Sequence, residues 1–396
     1  VHNASYVLET EDEGEFVTVS EEDLETALGG RAGVVSRRWR FEWRDLDYTL
    51  LGGGPITSAI LQGGSLKAAA DAEIPVTGEI TVVPQAMPFD ITTGVNHLAI
   101  TLLVAIGGVF LRMPQALMRV VAADEEVRED ATSQATIKLV DLSSYLLGKT
   151  SEPYVIPAGS NVIGELREIC DALNLQHDFT DSTDITPAII SVGPQTQWRV
   201  IADRLTAVSN LYPIAPDQRG VFRTTRRIMP KGSSDQLYSP VEPVLMYPPL
   251  VRKPDREGRY YNRAVSLFDH PDRTAGYVEL VNDDPASNIS IPARAEVVTQ
   301  KLVNGGYVLN GARAIEYATW ALRHQHALAN RAELDVAFDP RQQLYQQVLL
   351  DIPGAEEATT WELLGWTVPL TTRGRMALSL GRAEEIGMRT VVTYRG

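Results

Sequence analysis

The stretch LAITLLVAIGGVFL, residues 98–111, is the longest uncharged apolar run in the chain, and its reading decides what kind of fold this is. Its 14 residues fall short of the about 20 that a helix needs to cross a bilayer. Gly107 and Gly108 stand at a turn position between two apolar segments, which is the signal of a hairpin. The stretch is read as two buried antiparallel strands, and no membrane insertion is expected.

The surroundings have the same texture. Across residues 34–145, RRWRFEWRDL, GEITVVP, the hairpin and ATIKLVDLSSYL follow one another with Gly and Pro between them. Short strands spaced by turns suit an antiparallel barrel or sandwich rather than a βαβ fold. Residues 1–33 form an acidic N-terminal arm with no Lys or Arg before Arg31. In it YVLETEDEGEFVTV reads as a hairpin with a charged tip, and EEDLETALGG as a short helix closed by glycine.

Residues 146–230 read as a helix-containing domain. Val162, Ile163, Leu166, Ile169, Cys170 and Leu173 recur on one helical face after a cap at Ser160, and Trp198, Ile201, Ala202, Leu205 and Val208 do so in a second helix. NLYPIAPDQRGVFRTT is a hairpin turning through residues 217–220. The Pro, Gly and Ser content of residues 231–256 marks a linker. Residues 257–396 alternate strands such as RYYNRAVSLF, GYVELVNDD and WELLGWTVPL with one helix over residues 312–329, giving a second β region.

The chain of 396 residues, 44% of them hydrophobic, is long enough for two or three domains. Its net charge of −15 argues against a basic face that grips a phosphate backbone. Six lysines against thirty arginines point to a GC-rich coding source. Cys170 is the lone cysteine, so neither a disulfide framework nor a thiolate metal cage is expected, and its helical neighbours make it a core filler. The opening VHNASYVLETEDEGEF lacks the basic start and apolar run of a secretory signal.

Few residues invite chemistry. His324 and His326 stand two apart on a helix and face different sides, unlike the pair four apart in a zinc protease. Glu356 and Glu357 are adjacent in a turn, whereas glycosidase carboxyls face each other across a sugar. Gly52, Gly53 and Gly54 lack the Lys and Ser or Thr of a phosphate loop. VNDDPASN, residues 281–288, gathers Asn282, Asp283 and Asp284, but its spacing departs from a calcium loop. A stiff turn accounts for every residue in it, with weak cation binding and acid catalysis as the alternatives. No catalytic residue, metal ligand or cofactor is therefore expected. Trp39, Trp43, Trp361 and Trp366 read as core or interface anchors, the alternative being a sugar platform.

Three stretches resemble one family. QTQWRVIADRLTAVSNLYPIAPDQRGVFRTT, RYYNRAVSLF followed by VNDDPASNISI, and IKLVDLSSYLLG followed by YVIPAGSNVIGELREICDAL are similar to segments of minor tail proteins from long-tailed phages of actinobacteria. The likeness spans residues 79–333 and rests on order and texture. It implies a mainly β tail-hub or baseplate-hub fold, with two tube-like antiparallel β-barrels and a small α-containing insertion. Three copies would form a pseudo-sixfold ring at the virion tail tip. The implied partners are a distal tail protein ring above and tip or fibre proteins below, with tape-measure protein and DNA passing through without specific binding. A receptor- or carbohydrate-binding module, expected to show an aromatic groove near Trp361 and Trp366, and a cell-wall polysaccharide hydrolase are the alternatives.

Overall fold

A computed structural model describes residues 5–10, 16–20, 37–45, 48–51, 55–57, 60, 64–70, 72–84, 97–106, 109–127, 133–224, 236–239, 244–254, 260–269, 275–302, 310–339, 342–351, 359–371, 374–383 and 386–395. The helix expected in EEDLETALGG, the three glycines at 52–54 and the Glu356–Glu357 pair lie outside these.

The N-terminal strands are β1 (Ser5–Thr10), β2 (Phe16–Ser20), β3 (Arg37–Arg44), β4 (Ser65–Ala69), β5 (Val76–Val82), β6 (His97–Ile106), β7 (Val109–Val127) and β8 (Ser133–Asp141). β6 and β7 are the hairpin expected at residues 98–111, pairing from Ile106↔Val109 outward. Leu98, Ile100, Leu102 and Val104 point into the core. Each such burial contributes about 1.5–3 kcal/mol. In β3 Trp39, Phe41 and Trp43 are buried on the core side, while Glu42 on the other face, itself 8% exposed, joins Arg40 (2.8 Å) and Arg44 (2.9 Å). Hydrogen-bonded order runs β3-β6-β7-β8-β5-β4. Ile56 N–H donates to Phe41 O on β3, and Ile60 bridges Val82 on β5, closing the remaining side into a barrel. The β1–β2 hairpin attaches to β7 through Glu9↔Arg112 and Thr10↔Leu111.

Next come β9 (Tyr154–Ile156), α1 (Val162–Ala172), β10 (Ile190–Val192), α2 (Trp198–Val208), β11 (Ala215–Pro216) and β12 (Phe222–Arg223). Both helices bury their expected faces in a separate core with Leu142 and Phe222. The cap of α1 is Asn161 rather than Ser160: the Asn161 side chain accepts from Gly164 N–H (2.8 Å). Asp217 organises the expected turn, accepting from Arg219 N–H (2.8 Å) and Val221 N–H (3.0 Å).

The remaining elements are β13 (Gln236–Ser239), β14 (Val244–Pro254), β15 (Arg263–Asp269), β16 (Ala275–Asn282), α3 (Ile291–Arg294), β17 (Thr299–Leu302), α4 (Gly311–Ala329), β18 (Asn330–Val336), β19 (Gln347–Leu350), β20 (Thr359–Pro369), β21 (Met376–Arg382) and β22 (Met388–Arg395). β13, β14, β18, β21, β20 and β19 pair in a ring and form a second closed barrel, antiparallel except where β13 meets β14 and β19. The stretch expected as a linker thus supplies two barrel strands. Its Pro248 and Pro249 fall where the β14 ladder skips from Tyr247 to Val251, so residues without an N–H are accommodated by a break in pairing.

Not all of residues 257–396 belong to that barrel. β17-β15-β16-β22 is a separate four-stranded sheet, and α4 lays Ala314, Tyr317, Ala318, Ala321 and Leu322 on it. The helix also approaches β21 closely, because a side chain at Gly381 would lie 2.8 Å from Ala327 Cβ. The parts meet at an aromatic cluster. Tyr212 from the helical region stacks on Tyr345 (4.2 Å) and meets Trp320 of α4 edge-on (5.8 Å), and Tyr345 Oη donates to Ala70 O beside the first barrel (2.6 Å).

Candidate functional site: a buried polar turn and a shared sheet face

The residues that sequence marked for an ion do not converge. The β16 strand ends at Asn282, whose buried side chain donates from Nδ2 to Ser287 Oγ (2.9 Å). Asp283 points outward, 3.5 Å from Arg389 Nε. Asp284 accepts from Gly387 N–H and Ala286 N–H (2.9 Å each), and these donors hold its carboxyl below the usual range. Each side chain closes a backbone or neighbouring group in its own direction, which is what a turn after a strand requires. Among the described residues, no three His, Cys, Asp or Glu are grouped to hold a metal ion.

The turn does more than end a strand. Ser287 Oγ also shares a hydrogen bond with His326 Nδ1 (3.1 Å), and Asn288 exchanges amide bonds with Asn330 (2.9 and 3.0 Å), whose Nδ2 also donates to His326 O (2.9 Å). The network therefore welds the four-stranded sheet to the end of α4 and the start of β18. Asn262, at the head of β15, adds a second weld by donating to Glu296 O and accepting from Val298 N–H (2.8 Å each). Ser287 is 1% exposed, so its contact with a histidine is a structural link rather than an accessible nucleophile. Burial, reinforced by the charge of Arg382 and opposed by Asp284, pushes His326 down to about 4. His324 faces elsewhere, stacking on Trp320 (5.1 Å) and lying 3.6 Å from Glu362. The sequence separated the two histidines correctly, but Ser287 and His326 lie 39 positions apart, and no local signal joins them.

Trp39, Trp43 and Trp361 are buried and Trp366 packs at the edge of the same core. Trp361, one of the two rings expected at a sugar-binding groove, is 3% exposed and so cannot serve as a stacking platform. Cys170 is fully buried, and desolvation lifts its thiol to about 12.

An extended sheet surface lies where the barrels join. β20 pairs with β21 of its own barrel and with β4 of the other, through Gly365↔Ala69, Thr367↔Lys67 and Pro369↔Ser65. Gly365 sits at the skip in the β20–β21 register, and a Cβ there would come within 2.6 Å of Ala68 O. One unbroken sheet, β14-β18-β21-β20-β4-β5-β8-β7, therefore crosses both barrels. A single transverse row of its outer face runs Asp335–Ala377–Thr367–Lys67–Thr77–Val140. The neighbouring positions Ser379, Gly365, Ser65 and Thr136 continue the small, polar character. Exposed charges on this face are Glu79, Asp124, Glu333 and Asp335 against Lys67, Lys138 and Arg331, four against three. Lys138 is already joined to Asp124 (2.6 Å). The face is wide and its exposed charges nearly balance, with Val140, Val121 and Val251 as its aliphatic side chains, the last two exposed.

No protein-family model matches this chain, and no curated protein matches its sequence. Solved structures match its fold. The 43 kDa tail protein of prophage MuSo2 from Shewanella oneidensis superimposes with a TM-score of 0.56 at 12% identity, over 87% of this chain and 98% of that one. A tail protein from Neisseria meningitidis MC58 gives 0.57 at 10% identity, over 87% and 97%. The half-lidded Francisella PdpA-VgrG complex gives 0.53 at 8% identity, over 90% of this chain and 60% of that chain. With two β-barrels sharing one sheet and a helix-containing region beside them, this chain has the hub-type fold of phage tail proteins.

Proposed function

We propose that this protein is a structural, non-enzymatic component of a phage virion: the tail hub that joins the tail tube to the tip. In this reading three copies form a ring of six barrels around a channel for tape-measure protein and DNA. A distal tail protein ring sits above it and tip or fibre proteins below. The observation that carries the reading is the unbroken sheet across both barrels, whose central outer row from Ala377 through Thr367 and Lys67 to Thr77 holds small or polar side chains and no aromatic ring. Such a wall suits the channel, because transit without binding needs neither clustered arginines nor aromatic platforms.

The wall's low affinity for DNA then rests on near-neutrality. The chain's charge of −15, or 3 × −15 = −45 for a trimer, is carried elsewhere and repels DNA at longer range. The excess of Arg over Lys supports a GC-rich, actinobacterial host for a long-tailed phage. Electron microscopy of the purified protein or its virion tests the proposal. A three-subunit ring with a central hole at the tail tip is expected, and a compact monomer with a cleft would refute it.

A further inference from the structure

His97 opens β6 where the first barrel meets the helical region, and it is 1% exposed. The ladders set it opposite Arg44 on β3 and Arg119 on β7. Its ring stacks on Tyr48 (5.0 Å), and both nitrogens are bonded, Nδ1 to Asp45 O (2.9 Å) and Nε2 to Tyr145 Oη (3.0 Å). A carbonyl only accepts, so Nδ1 carries the proton and Nε2 accepts from the tyrosine. The neutral ring is thereby fully satisfied.

Tyr145 lies on the 3-10 helix Leu142–Leu147, whose Leu142 and Leu146 are buried in the core of the helical region. The bond from His97 to Tyr145 therefore ties that core to the barrel. A second tie is Asp141, buried at the head of the same helix, which accepts from Ser143 N–H (2.8 Å) and from Val76 N–H of β5 (2.7 Å).

A proton on His97 upsets the first tie. Nε2 becomes a donor facing the hydroxyl from which it had accepted, and a buried cation stands between two arginines, the Arg119 guanidinium lying over the Tyr145 ring (4.7 Å). Glu42 is engaged by Arg40 and Arg44. Burial, with Arg119, outweighs the Asp45 carbonyl and carboxylate and holds the ring below its ordinary 6.5.

We propose that His97 is an acid-released latch, whose protonation frees the helix at residues 142–147 from the first barrel while both barrels stay folded. The latch is fully closed above the ordinary histidine range and loosens as pH falls toward the folded value, so opening rises by up to about tenfold between about pH 7.5 and 5.5. Asp141 acts in the opposite sense: burial raises it against its hydrogen bonds and Arg199 of α2, and acid relieves that cost.

Amide hydrogen exchange of the full chain, corrected for the intrinsic effect of pH, tests this in wild type, His97→Gln and Tyr145→Phe. Glutamine keeps a donor and an acceptor without titrating and leaves Asp141 in place. Over that pH range, exchange at residues 142–148 should quicken by up to about tenfold more in wild type than in His97→Gln, while β4 and β21 stay protected. Tyr145→Phe removes the hydroxyl and should quicken exchange there already near neutral pH. Equal pH dependence in wild type and His97→Gln, or unchanged exchange in Tyr145→Phe, overturns the latch. So does loss of protection in β4 and β21 together with the helix, which would be general unfolding.

Discussion

Acid should weaken this protein through His326, and the effect can be worked from its surroundings. The ring is 4% exposed, and its pKa falls from 6.5 to about 4 in the folded chain. The folded value lies below the unfolded one, so between them the native state holds fewer protons. The stabilisation is complete above the unfolded pKa and is lost as pH falls toward the folded one. At 1.36 kcal/mol per pH unit, the gap amounts to about 3 kcal/mol. His97 shifts in the same direction, through burial and the charge of Arg119, and burial raises Asp141 and Glu165, so the wild-type slope alone would mix several groups. Urea unfolding of wild type and His326→Gln at a series of pH values between about 4 and 7.5 separates them, because glutamine keeps a donor and an acceptor without titrating. The wild type should lose about 2–3 kcal/mol more than the variant across that range. Parallel stability curves would refute the argument and move the acid sensitivity elsewhere.

Two further outcomes follow from packing. Gly365→Val drives a side chain against Ala68 O at the seam, and should cost about 1–3 kcal/mol, read as a lower midpoint in thermal unfolding; an unchanged midpoint would mean the β20–β4 contact is looser than described. Cys170, buried and with its thiol at about 12, should ignore an aromatic disulfide reagent at neutral pH and react fully in denaturant, whereas rapid labelling of the native chain would contradict its core position.

Local patterns carried much of this fold. The glycine pair at 107–108 between apolar runs predicted β6 and β7, and the spacing of Val162 to Cys170 predicted α1, because both signals are complete within one element. The residues 236–254 misled for a physical reason: prolines that usually exclude a strand sit at a gap in its ladder. The separate four-stranded sheet was invisible because β16 and β22 are more than 100 positions apart and each strand alone is compatible with a barrel. VNDDPASN was legible as a turn from Pro285 and its acceptors, yet its bond to His326 depends on where α4 docks.

The strand β20 also dictates when this chain can finish folding. A ribosome releases residues in order, and β4 emerges with Ser65–Ala69 long before its seam partner at Thr359–Pro369 exists. Until then the outer edge of β4 is bare, and the second barrel lacks a strand of its ring. Closing so distant a pair late is slow and exposes edges to neighbours on the same message. A nascent chain cut short before Thr359 would leave β4 without its seam partner and the second barrel open, which ties the joining of the two barrels to translation of residues 359–369.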